Sequence, residues 1–403
     1  PEQVNIAYDQ TKLIYGRDYI IPKPFDPRLI SVVPPAVARA AMETGVAREP
    51  IVDWDKYEEI LMERLGNDSK LVRLLHSRAK SDPKRLVFAE ADHLPVLKAA
   101  QIAHDEGIAH PILLGDQLKI EALKAEIDFH EQVPIIDPKS NQERERRNRY
   151  AEIYWQQRKR NGLTLISAKK LMRERNYFAA MMVNEGDADA LITGFSRSFP
   201  SVIKPMLELI GLDYGATRVA TTNLLITERG PLFLSDTSIN IDPSSKDLAT
   251  IARMTATTVK MFGLEPIVAM ISYSNFGSSH TTSPRKVKEA VSYLHQYYPN
   301  LIVDGEVQTD FALNNEMLQD IFPFSKLAGK KVNTLVFPNL DAANITYKLI
   351  KEINKAENIG PIMMGLKKPV HILQLDASVD EIVNMSAIAV IHAQKKQKRR
   401  TRN

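Results

Sequence analysis

Apolar positions follow two periods along most of the chain. From Asp53 to Lys80 the residues Trp54, Tyr57, Ile60, Leu61, Leu65, Leu71, Leu74 and Leu75 recur three and four apart, interrupted by Gly66, Asn67 and Asp68. That spacing predicts a helical linker with one break. Arg85 to Ala89 (RLVFA) is a short apolar run, Leu94 to Glu106 has one apolar face, and Pro111 to Leu114 (PILL) is a second run closed by Gly115. Strand, helix and strand at this spacing predict parallel pairing in an α/β layer structure. The alternation continues with predicted helices at Asn141 to Arg160, Leu165 to Glu185 and Val202 to Ile210, and a strand at Ala190 to Thr193. Beyond Gly215 strands become denser, with Arg218 to Thr227 and Leu232 to Ser235 flanking the turn Glu228, Arg229, Gly230. A helix at Lys246 to Phe262, a strand at Ile267 to Ser272 and a helix at Ser283 to Tyr297 follow.

The first fifty residues read differently. Pro22, Pro24, Pro27, Pro34 and Pro35 predict extended or turning chain, since each removes a donor and restricts its predecessor. Ala36 to Glu43 then predicts one short helix stopped by Gly45.

With 403 residues, 44% of them hydrophobic and 25% charged, the composition is that of a soluble globular protein of two or three domains. The absence of cysteine excludes disulfides, thiolate zinc sites and a cysteine nucleophile, and suits a cytoplasmic setting. The longest apolar runs, Thr222 to Thr227 and Ala387 to Ala393, fall well short of the roughly 20 residues that span a bilayer. No membrane contact and no signal peptide are expected. The net charge of +4 is concentrated in Lys395 to Asn403 (KKQKRRTRN), which carries six Lys and Arg; without them the remainder is about −2. A basic tail can bind an acidic surface or nucleic acid, or be a solvated, frayed terminus. No aromatic residues interleave with it, so no nucleic-acid partner is expected.

Candidate chemistry is sparse. The nine histidines form no HExxH pair, and GxSxG, P-loop and GxGxxG patterns are absent. The segment Ser272 to Ser279 joins a predicted strand to a predicted helix and offers Ser274, Asn275, Gly277 and Ser278. Small hydroxyl residues and a glycine there let backbone amides approach an anion; the alternative is a helix entry capped by Thr282 or Ser283. Asn344, whose amide both donates and accepts, can orient a bound ligand or cap a helix beginning at Ile345. Gly305 and Asp310 carry the same ambiguity between turn and ligand contact.

Four stretches carry a resemblance. Val268 to Ser279 (VAMISYSNFGSS), Val303 to Ala312 (VDGEVQTDFA), Leu335 to Lys348 (LVFPNLDAANITYK) and Gly360 to Ser378 (GPIMMGLKKPVHILQLDAS) together resemble the C-terminal half of phosphotransacetylases, which move an acetyl group between coenzyme A and inorganic phosphate. Tyr15 to Pro50 resembles the tail of the cofactor-binding domain of bacterial malic enzymes, which oxidatively decarboxylate malate to pyruvate. The two in this order resemble the layout of hybrid malic enzymes, of which the chain would be a C-terminal fragment. The NADP and divalent metal sites would then lie upstream of Pro1, outside this fragment.

The resemblance implies an α/β, two-lobed phosphotransacetylase-like fold, akin to isocitrate and isopropylmalate dehydrogenases, with an inter-lobe cleft. Its expected parts are residues 1 to 52 as the malic enzyme remnant, 53 to 80 as the linker, 81 to 215 with 361 to 394 as one lobe, 216 to 360 as the other, and 395 to 403 as the tail. It implies acetyl-CoA or another phosphate-bearing ligand, and a homo-oligomer of at least two chains. Arg158 matches an arginine of the family's phosphate site, or else belongs to a solvated helix face. Lys204 stands where the family has a second arginine, with Arg197 close by, and Phe276 where it usually has a lysine. The family's Ser-Arg dipeptide falls on Gln374 and Leu375, and its aspartate on Glu381. Gln374 cannot act as a base and Leu375 carries no charge to stabilise a carbonyl oxygen, while Glu381 keeps a carboxylate at the base position, one methylene longer than the family's aspartate. The expectation is a catalytically degenerate domain that binds acetyl-CoA and regulates the enzyme. An active phosphate acetyltransferase and a ligand-free oligomerisation module are the alternatives.

Overall fold

The computed structural model describes residues 29 to 63, 68 to 354, 357 to 375 and 377 to 400. The chain divides into two compact units, one ending at Arg73 and one beginning at Leu74. The first contains α1 (Leu29–Glu43) and α2 (Trp54–Glu63). Its α1 starts seven residues earlier than the alanine-rich pattern suggested and includes Pro34 and Pro35. Proline's fixed φ is compatible with a helix, and each of these residues removes one backbone donor from it. Arg39 lies over the Trp54 ring at 4.6 Å, tying the two helices together. Pro22, Pro24 and Pro27 and the motif from Tyr15 to Arg28 lie outside the described residues, as does the break at Gly66. The helix α3 (Asp68–Lys80) leads from the first unit into the second.

The larger unit holds two sheets. β1 (Lys84–Phe88), β2 (Ala109–Leu114), β3 (Ile135–Ile136), β4 (Ala190–Thr193) and β11 (Val370–Ile372) form an all-parallel sheet in the order β11-β4-β1-β2-β3. Its strands are apolar on both faces, as a parallel sheet covered on two sides requires: Leu86, Val87, Phe88, Leu113, Leu114 and Leu191 are fully buried. Between them run α4 (Leu94–Asp105), α5 (Gln117–Glu126), α6 (Arg144–Arg158), α7 (Leu165–Leu171) and α8 (Arg175–Glu185). The single helix read from Leu165 to Glu185 is therefore two. Arg173 N and Glu174 N bond back to Lys170 and Leu171 carbonyls, three residues away, so the last turn tightens and the α ladder stops.

The second sheet is mixed, in the order β10-β5-β6-β9-β7-β8. Its strands are β5 (Ala220–Thr227), β6 (Gly230–Ser235), β7 (Ile267–Ile271), β8 (Ile302–Val307), β9 (Thr334–Val336) and β10 (Glu357–Met364). β10, β5 and β6 pair antiparallel, whereas β6, β9, β7 and β8 are parallel. The connecting helices include α9 (Phe199–Leu209), α10 (Ser245–Val259), α11 (Thr282–Tyr297), α12 (Thr309–Leu313), α13 (Asn315–Ile321) and α14 (Leu340–Asn354). α10 opens on a capping box between Ser244 and Asp247 and closes in a 3-10 turn at Lys260 to Phe262, ended by left-handed Gly263.

The chain then returns to the first sheet through β11 and ends in α15 (Val379–Arg400). From Ile382 to Val390 every residue of α15 is buried, as the apolar composition around the whole helix requires. The basic tail read from Lys395 begins as the last turns of this helix, and Lys396 pairs with Asp213 at 2.5 Å. Its first residues are thus packed rather than frayed.

Candidate functional site

Parallel strands present their C-terminal ends on one edge of a sheet, and ligand sites of α/β proteins lie there. Part of the sequence-selected set follows these edges, and the rest lies on helices. β7 leads into Ser274, Asn275, Gly277 and Ser278. β4 leads into Arg197, and β11 into Gln374 and Leu375. Lys204 lies on α9, Arg158 at the end of α6, Asn344 on α14 and Glu381 in the first turn of α15.

The loop after β7 is organised by a residue that sequence reasoning passed over. Glu306, on β8, is 1% exposed, and its Oε1 accepts the Gly277 N–H at 2.5 Å and the Ser274 hydroxyl at 3.4 Å. Its backbone carbonyl accepts Phe276 N–H at 2.8 Å. Ser274 is fully buried, and its Oγ accepts Ser279 N–H at 3.0 Å. Ser278 Oγ accepts Asn275 N–H, and Asn275 in turn exchanges side-chain hydrogen bonds with Gln308. The amides of residues 275 to 279 thus donate to acceptors of the protein itself. Neither Thr282 nor Ser283 caps the next helix; its N-cap is Thr281, without a side-chain bond. Two acidic residues, Asp304 and Glu306, within the short strand β8 were the available signal.

Phe276 has φ +45°, a left-handed conformation that costs a non-glycine residue about 1 kcal/mol. Its ring packs on Phe322 and Phe324 at centroid distances of 4.9 and 5.1 Å. An aromatic cluster therefore stands where the resemblance implies a cation. Gly305 has φ +140°, and a Cβ there would lie 2.5 Å from the Met270 carbonyl oxygen. Close approach of β7 is what this glycine provides.

A second group gathers around α14. Asn344 lies inside this helix, not at its start, because α14 begins at Leu340 with Asn339 Oδ1 accepting Ala342 N–H at 3.0 Å. Its side chain reaches the Thr237 carbonyl at 2.9 Å, just past the end of β6. One turn on, Tyr347 is almost fully buried and its hydroxyl accepts Gln374 Nε2 at 3.1 Å. Burial pushes this phenol up, with the Gln374 bond opposing. Another turn on, Lys351 Nζ lies 3.4 Å from Glu381 Oε1. Glu381 Oε2 accepts Ser378 N–H at 2.9 Å, and Ser378 Oγ accepts Glu381 N–H at 3.2 Å. The carboxylate is thereby held in a capping box and an ion pair. Leu375, between these anchors, is 62% exposed.

The cations form a third group. Glu90 is buried and accepts Phe195 N–H at 2.6 Å, Ser196 N–H at 3.2 Å and Ser196 Oγ at 2.6 Å, shaping the loop that carries exposed Arg197. Leu373 N–H bonds the Thr193 carbonyl at 2.7 Å, so this loop and the Gln374 loop leave adjacent strands. Arg158 Nη2 lies 3.8 Å from Glu208 Oε1. Tyr154 and Tyr177 both donate to Glu208 Oε2, at 2.8 and 2.9 Å. Burial and this carboxylate push Tyr177 up to about 12. Lys204, one turn before Glu208, is exposed. The structure thus joins Arg197 to the Gln374 group through the strand edge, and sets Arg158 beside α9. Ser274 lies two strands across the second sheet from Thr237, roughly 10 Å at the usual strand spacing.

Among the described residues no group of three or more His, Asp or Glu could hold a metal ion. None of the described helices is long and apolar enough to cross a membrane.

A parallel and a mixed α/β sheet, with Tyr347 tethering Gln374 at the end of β11, define the class of fold. The family model for phosphate acetyl/butaryl transferases matches residues 70 to 390, and the chain belongs to that family. It is 35% identical to the phosphate acetyltransferase of Clostridium acetobutylicum, over 81% of this chain and 99% of that one. The structure of a phosphotransacetylase from Streptococcus pyogenes superposes with a TM-score of 0.76 at 31% identity, covering 82% of this chain and all of that one. The chain also matches the C-terminal half of NADP-dependent malic enzymes. It is 38% identical to the one from Haemophilus influenzae over 98% of its own length, yet spans about half the length of that relative, 52%.

Proposed function

We propose that this chain is the regulatory part of a malic enzyme: a phosphotransacetylase-like domain that binds acetyl-CoA at the strand ends and no longer transfers its acetyl group. The observation carrying this reading is the state of Gln374, Leu375 and Glu381. Gln374 is an amide spent on Tyr347, Leu375 is aliphatic, and Glu381 is engaged by Ser378 and Lys351. Removing one transition-state stabiliser commonly costs a hundredfold or more in rate; here the serine and the arginine of the resembled motif are both replaced, and the remaining carboxylate, Glu381, is tied to Ser378 and Lys351. Exposed Arg197 and Lys204 retain the charge that attracts a phosphate-bearing ligand. Acetyl-CoA preferring one conformation of the whole cytoplasmic enzyme would couple this site to malate oxidation, for which the NADP and divalent metal belong to the other half.

Assembly with copies of itself belongs to the same proposal. Ile345, Leu349 and Ile353 project from α14 at helical spacing and are more than half exposed, a stripe suited to a second copy.

Two measurements test the reading. Calorimetric titration with acetyl-CoA is expected to saturate, and a coupled assay for acetyl phosphate is expected to stay at background. Turnover that disappears in Glu381→Ala would overturn the regulatory reading in favour of an active transferase; absence of binding at millimolar acetyl-CoA would favour a purely structural module.

A further inference from the structure

A cavity of about 150 Å³ lies at the opposite end of β11 from Gln374, against Val370, the last turns of α15 and the face of α10. Its walls are apolar and deformable, built from Met254, Met261, Met363 and Met364. Its rim carries the cations Arg253, Lys368, Lys395 and Lys396 together with the carboxylate of Asp213, which Lys396 engages at 2.5 Å.

His392 lines this cavity, and the ring of His371 stacks against it from behind. His371 is fully buried, and its Nδ1 accepts the Met363 N–H at 3.2 Å, so the ring proton of the neutral imidazole sits on Nε2. Nε2 lies 2.9 Å from His392 Nδ1, which must therefore be the acceptor. Neutral His392 then carries its proton on Nε2. No described residue accepts that proton, and His392 lines the cavity. A backbone amide thus sets, through two rings, a fixed donor in a methionine-walled, positively rimmed space.

We propose that this cavity binds a small carboxylate with an apolar body, the carboxylate taken by His392 Nε2–H and the rim cations and the body by the methionines. The volume suits a body about the size of benzene and is too small for a nucleotide. Bare inorganic anions would leave the methionine walls uncovered, and uncharged apolar molecules would leave the donor and cations unanswered. This site is independent of the proposed acetyl-CoA site, since it uses none of its residues.

The test titrates the 403-residue chain with benzoate, hexanoate, benzyl alcohol and inorganic phosphate, by calorimetry and by imidazole 1H–15N spectra. Benzoate and hexanoate are expected to saturate in the millimolar range and to shift the His392 Nε2–H resonance, with phosphate and benzyl alcohol about tenfold weaker or more. Lys395→Gln is expected to weaken benzoate several-fold, and His392→Phe to abolish its binding. Because His392→Phe also strips His371 of its acceptor, the Lys395→Gln and benzyl alcohol comparisons decide the matter if that variant does not fold. Phosphate binding as tightly as benzoate, no saturation by about 10 mM benzoate, or affinity indifferent to Lys395→Gln would each overturn the proposal.

Discussion

Ser378 and Glu381 close on each other: the Glu381 carboxylate takes the Ser378 amide at 2.9 Å, and the Ser378 hydroxyl takes the Glu381 amide at 3.2 Å. Glu381 therefore completes the cap that opens the buried helix α15. Ser378→Ala is expected to cost about 1 kcal/mol, the usual value of a lost N-cap, read as a lower urea midpoint with unchanged slope. An unaltered midpoint would show that this cap contributes nothing.

Gln374 and Tyr347 make the second prediction. Tyr347→Phe removes the acceptor of Gln374 Nε2 and leaves the loop without its tether to α14. A net hydrogen bond is worth about 0.5 to 1.5 kcal/mol, so the acetyl-CoA dissociation constant is expected to rise about two- to tenfold in calorimetry. Unchanged affinity would place the ligand away from this loop.

Gly305 makes a purely structural prediction. Alanine there puts a Cβ at 2.5 Å from the Met270 carbonyl oxygen in a backbone region that side chains avoid. Strain and overpacking together are expected to cost about 3 kcal/mol, measured by chemical denaturation. A loss below about 1 kcal/mol would mean that β7 and β8 move apart readily.

The buried histidines set a pH dependence. Burial pushes His371 down to about 3, and His392 well below its usual value for the same reason, with the His371 ring and nearby lysines adding to it. Below about pH 6.5 the unfolded chain takes up protons that the folded chain refuses, so stability falls as pH drops from 6.5 towards 3. His371 alone contributes up to about 1.4 kcal/mol per pH unit in that range. The window from about pH 6.5 to 5.5 lies above ordinary carboxylate titration. Unfolding free energy that stays flat or rises as pH falls through it would contradict buried, neutral rings.

Legibility followed the range of the interactions. Strands such as Leu86 to Phe88 and Ala190 to Thr193 are continuous apolar runs, so burial on two faces was written in adjacent residues. The join between Leu171 and Arg175 was not, because helix periodicity carries across a tightened turn whose cause is local backbone bonding. Asn344 read either as a ligand contact or as the cap of a helix starting at Ile345; α14 in fact starts at Leu340, and the amide spans to Thr237, 107 residues away.

By itself the sequence determined the layer class and the absence of cysteine chemistry, which follow from residue types and short spacings. The resemblance added Gln374 and Leu375 where a serine and an arginine are expected. Only the tertiary structure decided what surrounds them. Glu306 fills the loop after β7, Tyr347 holds Gln374, and His371 sets the tautomer of His392. Each pairing joins residues on different strands or helices, and such partners are selected by packing and by the need to satisfy buried polar groups, which no local pattern encodes.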